Sequence, residues 1–178
     1  MGELHLIVGC MFSGKTTYLI NIANTFKSID KKVILINYKE DTRYSRTHVT
    51  THDLNSCNVD TVFLDNLESY VFTEIDVICI NEAQFFKGLR DYCVKAVNAG
   101  KLVYVSGLDG DFKQNKFGEI IDLIPMCDSI KKLNALCNLC KNGNKAFFTL
   151  RITKDTSQKL IGTEQYIPVC RKHLNDKV

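Results

Sequence analysis

Residues 9–16 read GCMFSGKT, a G-x-x-x-x-G-K-T motif set between the apolar run LHLIV (4–8) and a segment with helical spacing. Strand, glycine-rich turn, helix is the context in which this motif has physical meaning. The turn bares backbone N–H groups at residues 12 to 16, and the positive end of the following helix adds to them, so the unit makes a nest for anions. Lys15 is placed to reach the β- and γ-phosphates of a nucleotide, and Thr16 offers its hydroxyl to magnesium. Gly14 lets the main chain approach the phosphates with no side chain in the way. The motif serves many reactions, so it defines a ligand class and leaves the chemistry open.

The rest of the chain repeats the same alternation. KVILI (32–36), VDTVFL (59–64), VICI (77–80) and KLVYVSG (101–107) read as strands. Helical spacing runs from Lys15 to about Ile29, with Leu19, Ile22, Ala23 and Phe26 on one face. A second helix is expected from about Phe86 to Ala99, with Gly100 at its C-terminal end. Continuous apolar strands between helices predict a mainly parallel sheet covered on both faces. After about Ala135 the chain turns polar and turn-rich, which predicts a nucleotide-binding α/β domain over 1–134 and a small second domain over 135–178.

At 178 residues, 45% apolar and 24% charged, the chain can fill one real core with a small appendage. A net charge of +3, with dispersed basic residues, argues against nucleic acid as a partner. No apolar run approaches a membrane span, and strand-like residues by Leu4 lead us to expect no targeting segment and a cytoplasmic protein. Of the cysteines, Cys10, Cys57, Cys79, Cys93 and Cys127 are scattered, as buried reduced thiols are.

Two constellations remain. VICI ends at Asn81 and Glu82, at the strand edge where ligands of parallel sheets gather. Successive strand residues point oppositely, so the two have different tasks. Spacing alone leaves Glu82 either a general base toward an attacking hydroxyl or a solvated carboxylate beside a helix N-terminus. Farther on, Cys137-x2-Cys140, 29 residues, then Cys170-x2-His173 form a two-knuckle zinc pattern. Four protein ligands close such a site, which makes the ion structural; incidental buried pairs, with His173 facing solvent, are the alternative. Between the knuckles, residues 146–166 read as a strand, a polar turn and a second strand.

GCMFSGKTT, DTRY (41–44), THD (51–53), NEAQFF (81–86), LDGDF (108–112) and YIPVCRKH (166–173) follow one another in an order that resembles the type II thymidine kinase family, from about Leu4 to Leu174. The resemblance implies a RecA-like P-loop fold with a zinc domain carrying a substrate lasso, Mg-ATP as phosphate donor, and thymidine phosphorylated at its 5′-hydroxyl as a salvage step. By motif position it implies Glu82 as base, with Lys15 and Arg43 as charge stabilisers. The nucleotide's contacts would be Gly9, Met11, Phe12, Ser13, Gly14, Lys15, Thr16, Thr17, Asp41, Asn81 and Gln84. Met11, Phe85, Leu108, Phe112, Phe117 and Thr149 would wall the nucleoside, Ser157 and Ile161 would lie in the lasso, and Tyr166 would close it. Leu108 and Phe117 read equally well as core residues. The resemblance further implies a homotetramer and feedback inhibition by the end-product triphosphate. Asn81 stands where the family has aspartate, and Cys10 where it has proline; the first loosens the grip on magnesium and the second the turn itself. Two rival functions stay open, a broader pyrimidine deoxynucleoside kinase and a zinc-containing nucleotide-binding regulator without turnover.

Overall fold

The computed structural model describes residues 1–40 and 59–176. Six strands, β1 (Glu3–Gly9), β2 (Val33–Tyr38), β3 (Asp60–Leu64), β4 (Val77–Ile80), β5 (Leu102–Gly107) and β6 (Ser129–Leu133), form one sheet in the order β3-β2-β4-β5-β1-β6. Every pairing in it is parallel. Helix α1 (Lys15–Lys27) joins β1 to β2, and α2 (Leu89–Asn98) joins β4 to β5. The chain crosses the sheet in opposite directions in these two steps, and right-handed crossovers then send the helices to opposite faces.

Alternation along the strands supplies both faces with apolar side chains. Ile7, Val33, Leu35, Val77 and Cys79 meet Leu19, Ile20 and Ala23 of α1. Leu4, Leu6, Val8, Ile34, Ile36, Ile78 and Ile80 meet Leu89, Tyr92, Cys93 and Ala96 of α2. Both helices are shorter than their periodicity predicts. Helix α2 starts late because residues 83–85 take a 3-10 turn and Gly88 adopts φ 69°. The Glu119 carboxylate then accepts from Gly88 N (2.9 Å) and Arg90 N (3.2 Å), capping the helix from a distant segment. Its other end closes as predicted, with Gly100 N and Lys101 N donating to Val97 O and Ala96 O.

Strand β6 has no counterpart in the expected strands. Its SIKKL sequence is exposed along most of its length, so it carries no buried run to read. Beyond it, β7 (Ala135–Leu136) pairs with β8 (Lys145–Ala146), and β9 (Phe148–Arg151) pairs antiparallel with β10 (Tyr166–Val169), which leads into the short helix α3 (Arg171–Asn175). A third apolar cluster, Ala135, Cys137, Ala146, Val169 and Leu174, fills this part and takes in Cys10 from the β1–α1 loop. Cys10, Cys79 and Cys93 are buried as expected, while Cys127 is partly exposed and Cys57 lies outside the described residues. Among the described residues no helix is long and apolar enough to cross a membrane.

Candidate functional site

The carboxyl ends of β1, β4 and β5 open on one cleft with about 910 Å3 of empty space, its mouth included. Residues 11–17 form one wall. They leave β1 through Gly9 at φ 151°, where a Cβ would stand 2.4 Å from Leu133 O, so only glycine makes the turn beside β6. Cys10 then anchors the loop: burial pushes its thiol up, keeping it a donor, and it donates to Ala146 O at 3.3 Å. Met11 N donates to Thr149 Oγ1 (3.0 Å), Ser13 Oγ to Cys10 O (2.8 Å) and Lys15 Nζ to Cys10 O (2.7 Å). The turn with cysteine in place of proline is therefore pinned, where the sequence suggests loosening.

Asn81 and Glu82 diverge as neighbouring residues on a strand should. Asn81 is buried behind the loop, accepting from Thr16 Oγ1 at 3.3 Å and donating through Nδ2 to Asn37 Oδ1 at 2.8 Å. Glu82 is held in the left-handed region, φ 52° and ψ 41°, and lines the cleft. A residue with a side chain adopts that backbone only where its surroundings impose it. Here the neighbour is Gln84, 3% exposed, whose amide is used at both ends. Its Oε1 accepts from Leu108 N (3.0 Å), which orients the amide, and its Nε2 donates to Glu82 Oε2 (2.7 Å). A Cβ on Gly107 would come within 2.4 Å of that Oε1, so the sequence keeps space there.

Opposite the loop the wall is apolar. Met11, Phe85, Leu108, Phe112, Phe117, Thr149, Ile161 and Tyr166 all line the cleft, with Phe85 and Phe117 edge to face at 5.5 Å. Leu108 and Phe117 are partly exposed on it, which separates them from the core. Ser157 is the exception: its N–H and hydroxyl donate to Asp155 Oδ1, away from the cleft. Phe12, Ser13, Gly14, Lys15, Thr16, Thr17, Glu82 and Gln84 line the cleft too, whereas Gly9 and Asn81 support it from behind. Asp41 and Arg43 lie outside the described residues. Sequence reasoning missed Asp111, Gln158, Leu160 and Thr163, which also face the cleft. Asp111 sits inside the quoted LDGDF segment and was within reach. Gln158 joins it only through the fold, donating to Asp111 Oδ2 at 2.7 Å.

Cys137, Cys140, Cys170 and His173 bring their ligand atoms within 4.8 Å of one another. Tetrahedral zinc bonds of about 2.3 Å to sulfur and 2.0–2.1 Å to nitrogen separate ligand atoms by about 3.8 Å (S to S) and 3.5 Å (S to N). The Sγ atoms of Cys140 and Cys170 are 3.7 Å apart, and His173 Nδ1 lies 3.5, 3.4 and 3.5 Å from Cys137, Cys140 and Cys170. The four residues fit the ion. Burial pushes the Cys137 thiol up, but N–H groups of Cys170 and Cys140 and the His173 ring outweigh it and bring the thiol down to about 6, toward the thiolate a metal binds.

A parallel α/β sheet with a cleft at its carboxyl edge, and a Cys3His cluster able to hold a metal ion beside it, defines the class of small-ligand α/β proteins. The thymidine kinase family profile matches residues 2–174. The chain is 46% identical to a thymidine kinase of Oryza sativa subsp. japonica over 98% of this chain and 67% of the relative. It is 40% identical to a thymidine kinase of Myxoma virus (strain Uriarra) over 96% of this chain and 95% of that one. It is 37% identical to the protein of Gallus gallus named thymidine kinase, cytosolic, over 96% of this chain and 75% of the relative. The chain belongs to the thymidine kinase family.

Proposed function

We propose that this protein transfers the terminal phosphoryl group of ATP to the 5′-hydroxyl of thymidine, giving thymidine monophosphate and ADP as a salvage step toward DNA precursors. The observation that carries this reading is a buried-amide-oriented carboxylate, Glu82, sharing one cleft with the glycine-rich loop and with a wall of apolar and aromatic side chains. The loop's N–H groups and Lys15 suit the phosphates of the donor, and the aromatic wall suits a pyrimidine and its sugar.

Glu82 takes the proton from the 5′-oxygen as that oxygen bonds to the γ-phosphorus; the bond from γ-phosphorus to the bridging oxygen breaks, and ADP carries that oxygen away. Lys15, which donates to Cys10 O at the floor of the loop, stabilises the migrating charge from there. Arg43 joins it by motif position. Thr16, with the Asn81 amide behind it, would hold magnesium, which would supply neutralisation of charge on the transferred group. Cys137, Cys140, Cys170 and His173 would hold zinc, which would tie the C-terminal residues together. On the same reading residues 1–134 form the nucleotide domain and 135–178 the zinc domain with its lasso. The cytoplasm is the place of work, nucleic acid and membranes are not partners, and four copies assemble.

Purified protein with Mg-ATP and a panel of pyrimidine nucleosides tests this. We expect thymidine monophosphate and ADP in equal amounts, with thymidine ahead of deoxyuridine and deoxycytidine. A methyl group in an apolar site is worth about 1–3 kcal/mol, so the preference for thymidine over deoxyuridine should be about 10–200-fold. ATP consumption without a nucleoside phosphate among the products would refute the proposal.

A further inference from the structure

Arg151, at the end of β9, has no role in the sequence reading, yet its side chain is 1% exposed. A cation so deeply buried must be compensated, because desolvation is costly. Compensation here comes mainly from main chain. Nη1 donates to Asp155 O (3.0 Å) and to Ser157 O, and Nη2 donates to Gln158 O (3.3 Å) and to the Tyr166 hydroxyl (2.5 Å). The Tyr166 hydroxyl in turn donates to Leu160 O at 3.0 Å. The guanidinium plane lies 3.8 Å from the centroid of the Phe112 ring, and the Asp155 carboxylate stands 3.6 Å away. Residues 155–160 are therefore wound around one fixed fork of donors, and two aromatics of the cleft wall rest against the same group.

We infer that Arg151 is the positioning residue of the nucleoside side of the site. It shapes the 152–165 loop from within and holds Phe112 and Tyr166 at the cleft, while standing behind that wall. The identity of the ligand rests on the proposed function; the templating of the loop does not. Lysine keeps the charge and the stem but lacks the planar fork, so it cannot reach three carbonyls and a hydroxyl at once. The phosphate side has its own ties, Cys10 to Ala146 O, Met11 N to Thr149 Oγ1 and Thr16 to Asn81, none of which is made by Arg151.

The test is the full-length protein with Arg151→Lys and Arg151→Gln, read by backbone hydrogen exchange without ligand and by steady-state kinetics. We expect faster exchange confined to residues 152–165 and a thymidine KM raised about tenfold, as when the binding-competent loop falls to a tenth of the population. The kcat, the Kd of a non-hydrolysable ATP analogue and the zinc content should change less than about twofold. Unaltered exchange in Arg151→Lys would overturn the inference. So would faster exchange with an unchanged thymidine KM, or a parallel loss of zinc and nucleotide binding, which would mark Arg151 as a general structural residue. If the wild-type protein phosphorylates no thymidine, the proposed function fails by itself, and the exchange pattern still decides the templating.

Discussion

The two walls of the cleft take their shape from different sources. The β1–α1 loop is set chiefly by the six-stranded sheet beneath it, where β1 and β6 flank Gly9 and Asn81 at the end of β4 meets Thr16, with one further tie from Met11 N to Thr149 of β9. The 152–165 loop joins β9 to β10 of a two-stranded sheet, outside the six-stranded one. It is shaped by Arg151, by Gln158 on Asp111, and by Lys159, which donates to Tyr38 Oη (2.9 Å) and Glu40 Oε2 (2.6 Å). A wall carried by strands inherits the stability of the core, whereas a wall carried by a few polar ties opens and closes independently of it. Under the proposed function, this arrangement suits a site whose donor is common to many enzymes and whose acceptor must be chosen.

Metal removal should separate the walls most sharply. Structural zinc contributes on the order of 10 kcal/mol to folding. A chelator should therefore unfold residues 135–176 and abolish thymidine binding, read by hydrogen exchange and calorimetry. The six-stranded sheet should stay protected, and ATP-analogue affinity should fall only as far as the loss of Thr149 and Ala146 loosens the loop. Uniform unfolding would break the distinction between the walls.

Gln84→Met comes next. It removes the acceptor of Leu108 N and the Gln84 donor to the Glu82 carboxylate, and hydrogen bonds to charged groups are worth about 1.5–3 kcal/mol. We expect kcat to fall about tenfold or more with thymidine KM little changed; a change confined to KM would place Gln84 against a ligand. Asn81→Asp should have a smaller effect. It restores a charge beside Thr16, worth about 1 kcal/mol toward magnesium, and lowers the magnesium concentration at half-maximal rate several-fold. It also removes the donor to Asn37 Oδ1, so the Asn37 amide must turn. An unaltered magnesium dependence would show that position 81 does not reach the ion.

The smallest effect belongs to Lys159. Partial burial pushes its ammonium down, but the bonds to Glu40 and Tyr38 outweigh this and raise it above the ordinary lysine value. A raised value means that the tie is complete below the ordinary lysine value and is lost only as pH climbs through the raised one. Thymidine KM should therefore be flat from about pH 6 to pH 9. Lys159→Ala should raise it no more than about threefold, as partly exposed ion pairs do.

The same contrast governs how much was legible in the sequence. Strands β1, β2, β4 and β5 announce themselves because both faces are buried and the apolar runs are unbroken. The glycine-rich turn and the two cysteine knuckles are local in sequence, so their spacing carries their chemistry. Strand β6 was invisible because an exposed edge strand rich in lysine has no pattern to offer. The late start of α2 depends on Glu119, far along the chain. Arg151 and Gln158 acquire meaning only when the fold brings carbonyls and Asp111 to them, and no spacing rule reaches that.

The central claim, that Glu82 accepts the proton of the attacking hydroxyl, is tested most directly by Glu82→Gln measured for turnover and for binding in the same preparation. The account predicts kcat lower by about 10²–10⁴-fold, with the Kd values for thymidine and an ATP analogue within about threefold of the parent. Turnover within about twofold of the parent, with binding intact, would contradict it.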